Sequence, residues 1–445
     1  MLTKLWQKVK KIDWKEPGKI VPAGYTLYIL LGTGLLLLPW SWRQGSSASW
    51  LDHLFTAVSA VSTTGLCTVS TGGDYSFFGQ LIILILIQAG GLGYMTFGSF
   101  VILAVSGDIS SFRRGVASSV LSMPKGFDLR RFLRSIVLFT LMIETLGAVA
   151  LYPTFRASGL PMPWWQAIFH SVSAFCTAGF SLLNNSFEGF RGNIWFNVVI
   201  IVLSYLGAVG FIVMNDWWEY LTGHKKGMTL TSKIILWCTV IISVGGTILF
   251  ALDEPSIAQL PVSTKLTASW FQVMTASTTV GFNTIPVGAL SASSLFLLTI
   301  VMIIGASPSG TGGGLKTTCV TALWAVMLGI LRRDPEIRFA GRVIPVARVR
   351  TAVASMMFYL LTLGIGIYLI ALTEKQPMTA LMFECASALG TVGLSCGITG
   401  MLSASGKVLI IGLMFLGRIG PLALGMVLFS KRQNFCSAVE EDVAI

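Results

Sequence analysis

One seven-residue pattern, A-x-x-T-x-G-[L/F], returns four times along the chain and confines it to a fold with four similar parts. It reads Ala60-Val-Ser-Thr63-Thr64-Gly65-Leu66, Ala174-Phe-Cys-Thr177-Ala178-Gly179-Phe180, Ala276-Ser-Thr-Thr279-Val280-Gly281-Phe282 and Ala388-Leu-Gly-Thr391-Val392-Gly393-Leu394. A phenylalanine precedes each alanine by five residues (Phe55, Phe169, Phe271 and Phe383), and the pattern glycines are 114, 102 and 112 residues apart. A second register keeps step with the first, because Gly90, Gly207, Gly305 and Gly417 follow those glycines by 25, 28, 24 and 24 residues. Small residues that serve only close helix packing need not hold two registers over four units, so the sequence describes an internal repeat.

Composition sets the medium around those repeats. Of 445 residues, 54% are apolar and 11% charged, far from the soluble average. Runs such as Leu81 to Val105 reach the ~20 apolar residues that span a ~30 Å hydrocarbon layer. Eight crossings are expected: Val21 to Trp40, Leu81 to Val105, Phe132 to Tyr152, Trp195 to Met214, Ile234 to Leu252, Leu295 to Ile330, Ala352 to Leu372 and Val408 to Phe429. The net charge of +12 raises nucleic acid as a partner, but the placement of the basic residues points to topology instead. Alternate connections carry 23 of the 31 Lys and Arg residues, in the amino tail, Arg113 to Arg134, Lys225 to Lys233, Arg332 to Arg350 and Lys431 to Arg432. The other connections hold only Arg43, Arg156, Arg191, Lys265, Lys375 and Lys407. That is the positive-inside pattern of a multi-pass protein with both termini cytoplasmic, placed in a plasma membrane (the bacterial inner membrane) with lipid as its partner.

The first half of each outer connection is apolar and helix-like over only about 10 to 14 residues, a length that suits a re-entrant half-helix. The expected fold is an all-α polytopic membrane protein, with eight transmembrane helices arranged as four helix, pore-loop, helix repeats around one central pore. Its parts are a cytoplasmic tail (1–20), repeat 1 (21–112), repeat 2 (113–224), repeat 3 (225–340, with an intramembrane gating loop at 305–318), repeat 4 (341–432) and a second cytoplasmic tail (433–445).

Four T-x-G strands around one axis suit ion chemistry. A cation entering lipid needs its hydration shell replaced, and rings of backbone carbonyls do this without a fixed charge that holds the ion too tightly. Glycine adopts backbone angles that a Cβ penalises and adds no bulk to a narrow bore. The expected ion site is therefore Thr63, Thr64, Gly65 and Leu66, Thr177, Ala178, Gly179 and Phe180, Thr279, Val280, Gly281 and Phe282, and Thr391, Val392, Gly393 and Leu394, with no other metal site. Each half-helix runs inward, so its partly negative carboxyl end faces the axis and favours a cation there. Seven acids (Asp52, Asp74, Glu188, Asp253, Glu254, Glu374 and Glu384) against six bases add a weak local excess on the outer side.

The sixth crossing is interrupted by Gly305-Ala-Ser-Pro-Ser309-Gly310-Thr311-Gly312-Gly313-Gly314-Leu-Lys316, five glycines and a proline that break a helix. It is not a phosphate loop, since Leu315 separates the last glycine from the lysine and no strand precedes it. The reading is a gate beneath the filter, with a simple packing break as the alternative. Arg418 lies about ten residues into the last crossing, where a charge is costly and is usually paired or faces water. It is read as a barrier to cations in the pore, or else as the salt-bridge partner of Glu144. His53, His170 and His224 share no metal-site spacing; His53 and His170, on or beside the half-helices, are read as packing residues with pH sensing as the alternative, and the seven cysteines form no metal-ligand pairs. No H-E-x-x-H or G-x-S-x-G turn points to an enzyme.

These residues resemble the Trk/Ktr/HKT superfamily of K⁺ transporters over essentially the whole chain. The resemblance rests on the four T-x-G-[L/F] loops, Ser173 to Ser181, Gly281 to Asn283, the G-T-G-G-G-L-K-T run and Gly417 to Pro421. The chain looks most like the Ktr-type membrane subunit, although Cys176-Thr177 and the glycine run look closer to Trk members. The resemblance implies K⁺ uptake by a homodimer with one pore per protomer, resting on a separate ring of cytosolic nucleotide-binding regulatory subunits. Any nucleotide belongs to that ring, so the chain itself carries no cofactor beyond K⁺ in the filter. Members with serine at the first filter glycine tend to pass Na⁺, so four glycines argue for K⁺. Thr278 departs from the arginine that several Ktr members carry there. The alternative is a Na⁺ or Na⁺/K⁺-coupled secondary transporter of the same fold, and a rocking two-repeat transporter is disfavoured because four same-direction copies favour a central pore.

Overall fold

The structure, a computed structural model, describes residues 17–93, 129–223, 227–308, 310–334, 336–339 and 341–428. Ser309, His224 and the two terminal tails beyond these bounds lie outside the described residues, as do residues 94–128 with much of the second basic cluster.

Apart from a small hairpin, β1 (Arg338–Phe339) paired with β2 (Arg342–Val343), the described chain is helical. Each repeat contributes a long helix, a short buried helix and a second helix. They are α1 (Pro17–Leu36), α2 (Trp50–Val61) and α3 (Phe77–Gly91), then α4 (Leu129–Ala157), α5 (Pro163–Phe175) and α6 (Ile194–Val209), which turns into α7 (Phe211–Leu221). There follow α8 (Leu230–Asp253), α9 (Val262–Thr278) and a split pair, α10 (Ala292–Ile304) and α11 (Thr317–Arg332), and finally α12 (Val346–Thr373), α13 (Met378–Gly390) and α14 (Ala404–Leu428). Among the described residues, α8, α12 and residues Arg134–Ala157 of α4 are long and apolar enough to cross a membrane, with α6 and α7 a fourth if that bent pair counts as one span. The outer face of α8 exposes Trp237, Ile241, Val244, Ile248 and Leu249, a contiguous apolar surface that suits lipid and not water.

Helix starts follow local chemistry. A capping box of Ser49 and Asp52 opens α2, and Pro163 stands at the first position of α5, where its missing N–H costs nothing. The short helices are buried mainly over the half that leads to the threonine, with exposed residues such as Trp50, Trp164, Val262 and Met378 at their starts. Each packs on the long helix before it, and each second helix leans on the short helix of the next repeat: α3 on α5, α6 on α9, α10 on α13 and α14 on α2. The last of these contacts closes the ring.

Four features depart from the sequence reading. Helix α3 ends at Gly91, inside the expected second crossing, and α14 has a non-helical break at Gly420, inside the expected eighth. The third short helix has 17 residues, beyond the expected 10 to 14. The fourth crossing, expected over Trp195 to Met214, ends at Val209, where the chain bends by 96° into α7. The cause is competition for carbonyls. The Ser307 hydroxyl donates to the carbonyls of Ala208 and Val209 at 2.6 and 2.5 Å, and the Thr311 amide donates to Gly207 at 3.1 Å. The helix continues no further, and Gly210, at φ +92°, turns the chain without a Cβ penalty.

The closing contact carries an ion pair, Lys407 Nζ to Asp52 Oδ1 at 2.6 Å, with both side chains largely buried. Burial alone would raise the Asp52 carboxyl, but the Lys407 ammonium and the Ser49 hydroxyl and amide hold it well below the usual carboxylate range. The folded-state value is depressed, so the pair stabilises the fold fully above the unfolded carboxylate range near ~4 and progressively less as the pH falls below it. Lys407→Met is expected to lower the melting temperature of detergent-purified protein at pH 7, and by a smaller margin at pH 3.5. An equal loss at both pH values contradicts this account of the pair.

Candidate functional site

The four short helices end alike. Thr63, Thr177, Thr279 and Thr391 are fully buried and have φ of +53°, +49°, +58° and +50°. A β-branched residue in the left-handed region costs about 1–3 kcal/mol, and four repeats spend it at the same place. The pattern glycines Gly65, Gly179, Gly281 and Gly393 also have positive φ, at +93°, +68°, +86° and +90°, while the residues between do not. Such alternation of handedness turns successive N–H groups to one side and carbonyls to the other.

The N–H side faces the helix just left. The amides of Thr64, Ala178 and Val392 donate to the carbonyls of Ser59, Ser173 and Ser387 at 2.8 Å, and that of Val280 to Thr275 at 3.1 Å. The Gly65 and Gly393 amides continue to the hydroxyls of Ser59 and Ser387, each at 3.0 Å. Repeat 2 differs in detail, since the Ser173 hydroxyl donates to the Phe180 carbonyl at 2.9 Å.

The four strands meet one another. A Cβ built on Gly65 would lie 2.5 Å from the Ala178 carbonyl oxygen, one on Gly179 2.2 Å from that of Val280, one on Gly281 2.2 Å from that of Val392, and one on Gly393 2.1 Å from that of Thr64. The series runs from repeat 1 through 2, 3 and 4 back to 1, so the strands form a closed ring of backbone. The second glycine register supports it from behind. Gly90, Gly207 and Gly417 let their helices approach the carbonyls of Val61, Phe175 and Leu389, each two residues before a ring threonine. Gly305 breaks the series: at φ +65° it ends α10 and lies against Gly313, Gly314 and Leu315.

The glycine-rich segment between α10 and α11 runs under the threonine end of this ring and touches all four threonines. The Thr63 hydroxyl donates to the Thr311 carbonyl at 3.2 Å, and the hydroxyls of Thr177 and Thr311 lie 2.9 Å apart. Gly312 and Gly313 fit against Thr279 Oγ1 and Thr391 Oγ1, where an added Cβ would come within 2.2 and 2.1 Å. Lys316 Nζ donates to the Gly312 carbonyl at 2.8 Å and holds the segment's own turn. The segment begins at Gly305, as the sequence suggests, but helix resumes at Thr317, inside the expected 305–318.

Arg418 pins the segment to the ring. Its guanidinium donates to the carbonyls of Thr311 and Gly90, to Thr63 Oγ1 at 3.0 Å and to Tyr25 Oη at 3.3 Å. The proposed salt bridge to Glu144 does not form. Glu144 instead accepts from Gln88 Nε2 at 3.3 Å and lies 3.7 Å from Cys176 Sγ, because α4 brings it behind the second strand.

The acids read as a lure for cations are occupied in the scaffold. Asp74 accepts from the Ser46 hydroxyl and the Ser70 amide, Glu188 from Asn283, Asp253 from Ser294, Glu254 from the Ser256 and Ser291 amides, and Glu374 from Ser403. At Glu254, burial pulls the carboxyl up but the two amide bonds outweigh it and leave it below its ordinary value. His53 meets Tyr75 Oη at 3.1 Å, and His170 meets the Gln166 carbonyl at 2.8 Å. Among the described residues no cluster of His, Cys, Asp and Glu could hold a metal ion. Sequence reasoning missed Tyr25 and Gly90 as partners of Arg418, and it missed the Ser59 and Ser387 hydroxyls, which the repeat register could have revealed four residues before each threonine.

The family TrkH, described as cation transport protein, matches residues 20–436. The chain is 34% identical over 427 residues to the Ktr system potassium uptake protein B of Bacillus subtilis (strain 168), covering 94% of each chain. It is 35% identical over 425 residues to the potassium/sodium uptake protein NtpJ of Enterococcus hirae, covering 94% of this chain and 93% of that one. The fold superposes on the crystal structure of the potassium transporter TrkH from Vibrio parahaemolyticus with a TM-score of 0.75 at 19% identity, over 94% of this chain and 86% of that one.

Proposed function

Because the chain belongs to the TrkH family of cation transport proteins, within the Trk/Ktr/HKT superfamily, we propose that it is the pore-forming subunit of a regulated K⁺ uptake system in the plasma membrane. It is an all-α polytopic membrane protein and a transporter, not an enzyme. On this reading eight crossings form four repeats around one pore, with both termini cytoplasmic and the bounds given above. The protein works as a homodimer on a separate cytosolic ring of nucleotide-binding subunits.

The observation that carries the reading is the closed ring, in which each strand's glycine meets the next strand's carbonyl all the way round. A cation on the axis exchanges water for the main-chain oxygens of Thr63 to Leu66, Thr177 to Phe180, Thr279 to Phe282 and Thr391 to Leu394, in strands anchored to the short helices by the amides of each ring threonine and the residue after it. The helix carboxyl ends add partial negative charge at the threonine end. Below them Gly305 to Lys316 fill the path and Arg418 opposes a cation, so conduction requires this segment to move. The described side of the gate comprises Gly305, Gly310, Thr311, Gly312, Gly313, Gly314, Lys316 and Arg418.

A second reading, passage of Na⁺ as well as K⁺, draws on the relative named for both ions at 35% identity. Uptake of K⁺, Rb⁺ and Na⁺ by a host lacking its own K⁺ transport separates the two. Restored growth on low K⁺ with Na⁺ excluded supports K⁺ selectivity, equal entry of Na⁺ supports the second reading, and no cation uptake by expressed protein overturns both.

A further inference from the structure

The register that aligns the ring threonines also places a polar side chain seven residues before each of them: Thr56, His170, Gln272 and Glu384. All four are at most 1% exposed, in helices whose neighbouring positions are mainly apolar. In three repeats this side chain reaches the chain leaving the ring, in two of them at the residue five after the threonine. His170 Nε2 accepts from the Leu182 amide at 3.2 Å and lies 3.0 Å from Ser181 Oγ. Gln272 Oε1 accepts from the Thr284 amide at 3.3 Å. Glu384 accepts from the Thr399 hydroxyl, which itself lies 2.9 Å from Ser395 Oγ, four residues after the fourth ring threonine, while the other carboxylate oxygen is buried without a partner among the described residues. In repeat 1 Thr56 is too short for this reach, and its hydroxyl and that of Thr68 at the matching position are buried without a partner among the described residues.

The brace is thus one geometric device built from imidazole, amide and carboxyl. A carbonyl ring discriminates between ions only while its radius is held, and the far end of each strand has no helix of its own to hold it. An ionised carboxylate is the strongest acceptor of the three, and through Thr399 the Glu384 carboxyl also reaches Ser395 on the strand itself. We propose that Glu384 is the positioning residue that fixes the far end of the fourth strand and thereby the preference of the ring for K⁺ over Na⁺. The inference rests on the reading of the ring as the ion filter.

The test uses the full-length protein in liposomes, with Rb⁺ and Na⁺ uptake measured on the same preparations and folding followed by gel filtration. Glu384→Ala is expected to lower the Rb⁺ to Na⁺ uptake ratio about tenfold, the scale of one buried acceptor lost. Glu384→Gln, which keeps an acceptor oxygen in place, is expected to recover most of that ratio. A merely structural role lowers uptake of both ions together and leaves the ratio alone, which overturns the proposal. Should Glu384→Ala fail to fold, Thr399→Val removes the brace from its other end, and an unchanged ratio there overturns it equally. Wild-type liposomes that take up neither ion overturn the filter reading itself, whereas selective wild-type uptake with an unaltered Glu384→Ala ratio overturns only the role of Glu384.

Discussion

Gly393→Ser is expected to lower K⁺ uptake about 100-fold, while Gly65→Ser leaves a working transporter that admits Na⁺. Both glycines sit at positive φ, so any side chain is strained, but the space around them differs. A Cβ at Gly393 would lie 2.1 Å from the Thr64 carbonyl oxygen, and one at Gly65 2.5 Å from that of Ala178, the loosest of the four joints. The Thr64 oxygen cannot rotate away, because the amides of Thr64 and Gly65 are bound to α2, while the Ala178 backbone is held through its own amide to Ser173. Overpacking and backbone strain each cost about 1–3 kcal/mol, and a combined ~3 kcal/mol on the ring's conducting geometry corresponds to ~100-fold in rate. At Gly65 the smaller conflict is relieved by widening the ring, which costs discrimination before it costs passage. Uptake of Rb⁺ and Na⁺ by matched amounts of folded protein checks the ranking. Equal behaviour of the two variants contradicts it.

Arg418→Gln is expected to raise K⁺ flux at least tenfold. The guanidinium joins the ring threonine Thr63, the Thr311 carbonyl of the segment below it and the Gly90 carbonyl of α3. At an effective dielectric of ~20 a fixed positive charge about 5 Å from a passing cation opposes it by about 3 kcal/mol, and the same charge fastens the segment across the path. Removing it weakens both barriers. Deletion of residues 310–313, which lie against all four threonines, acts on the second barrier alone and should raise flux in the same direction. If Arg418 were only a structural tie, its loss would remove a charged donor from the Thr311 and Gly90 carbonyls, at about 1.5–3 kcal/mol for each such bond. The variant would then melt lower with unchanged flux per folded molecule. Flux and melting measured on one preparation tell the two apart.

The parts of this architecture that were legible in the sequence are the local ones. Residues within seven positions of each threonine decide where the short helix stops, and the same chemistry is written four times, so the repeat, the break at Gly305 and the small residues behind the ring could all be read directly. What escaped were relations between distant backbone groups. The apolar run through Gly210 reads as one continuous crossing, because nothing nearby announces that Ser307 and Thr311 will take its carbonyls. Arg418 looks like half of a salt bridge, and Glu144 is a reasonable acid to choose. Half of its actual partners are main-chain carbonyls, which every residue possesses and no pattern marks. The cyclic order of contacts, α14 returning to α2, is likewise a property of packing that one strand of sequence does not carry.

Rb⁺ or Tl⁺ located by anomalous scattering in crystals of the wild-type protein tests the central claim most directly. The account predicts peaks on the common axis, ringed by main-chain oxygens of the four strands, with reduced occupancy in Gly393→Ser. Heavy ions bound elsewhere in transport-competent protein, with the ring empty, would contradict it.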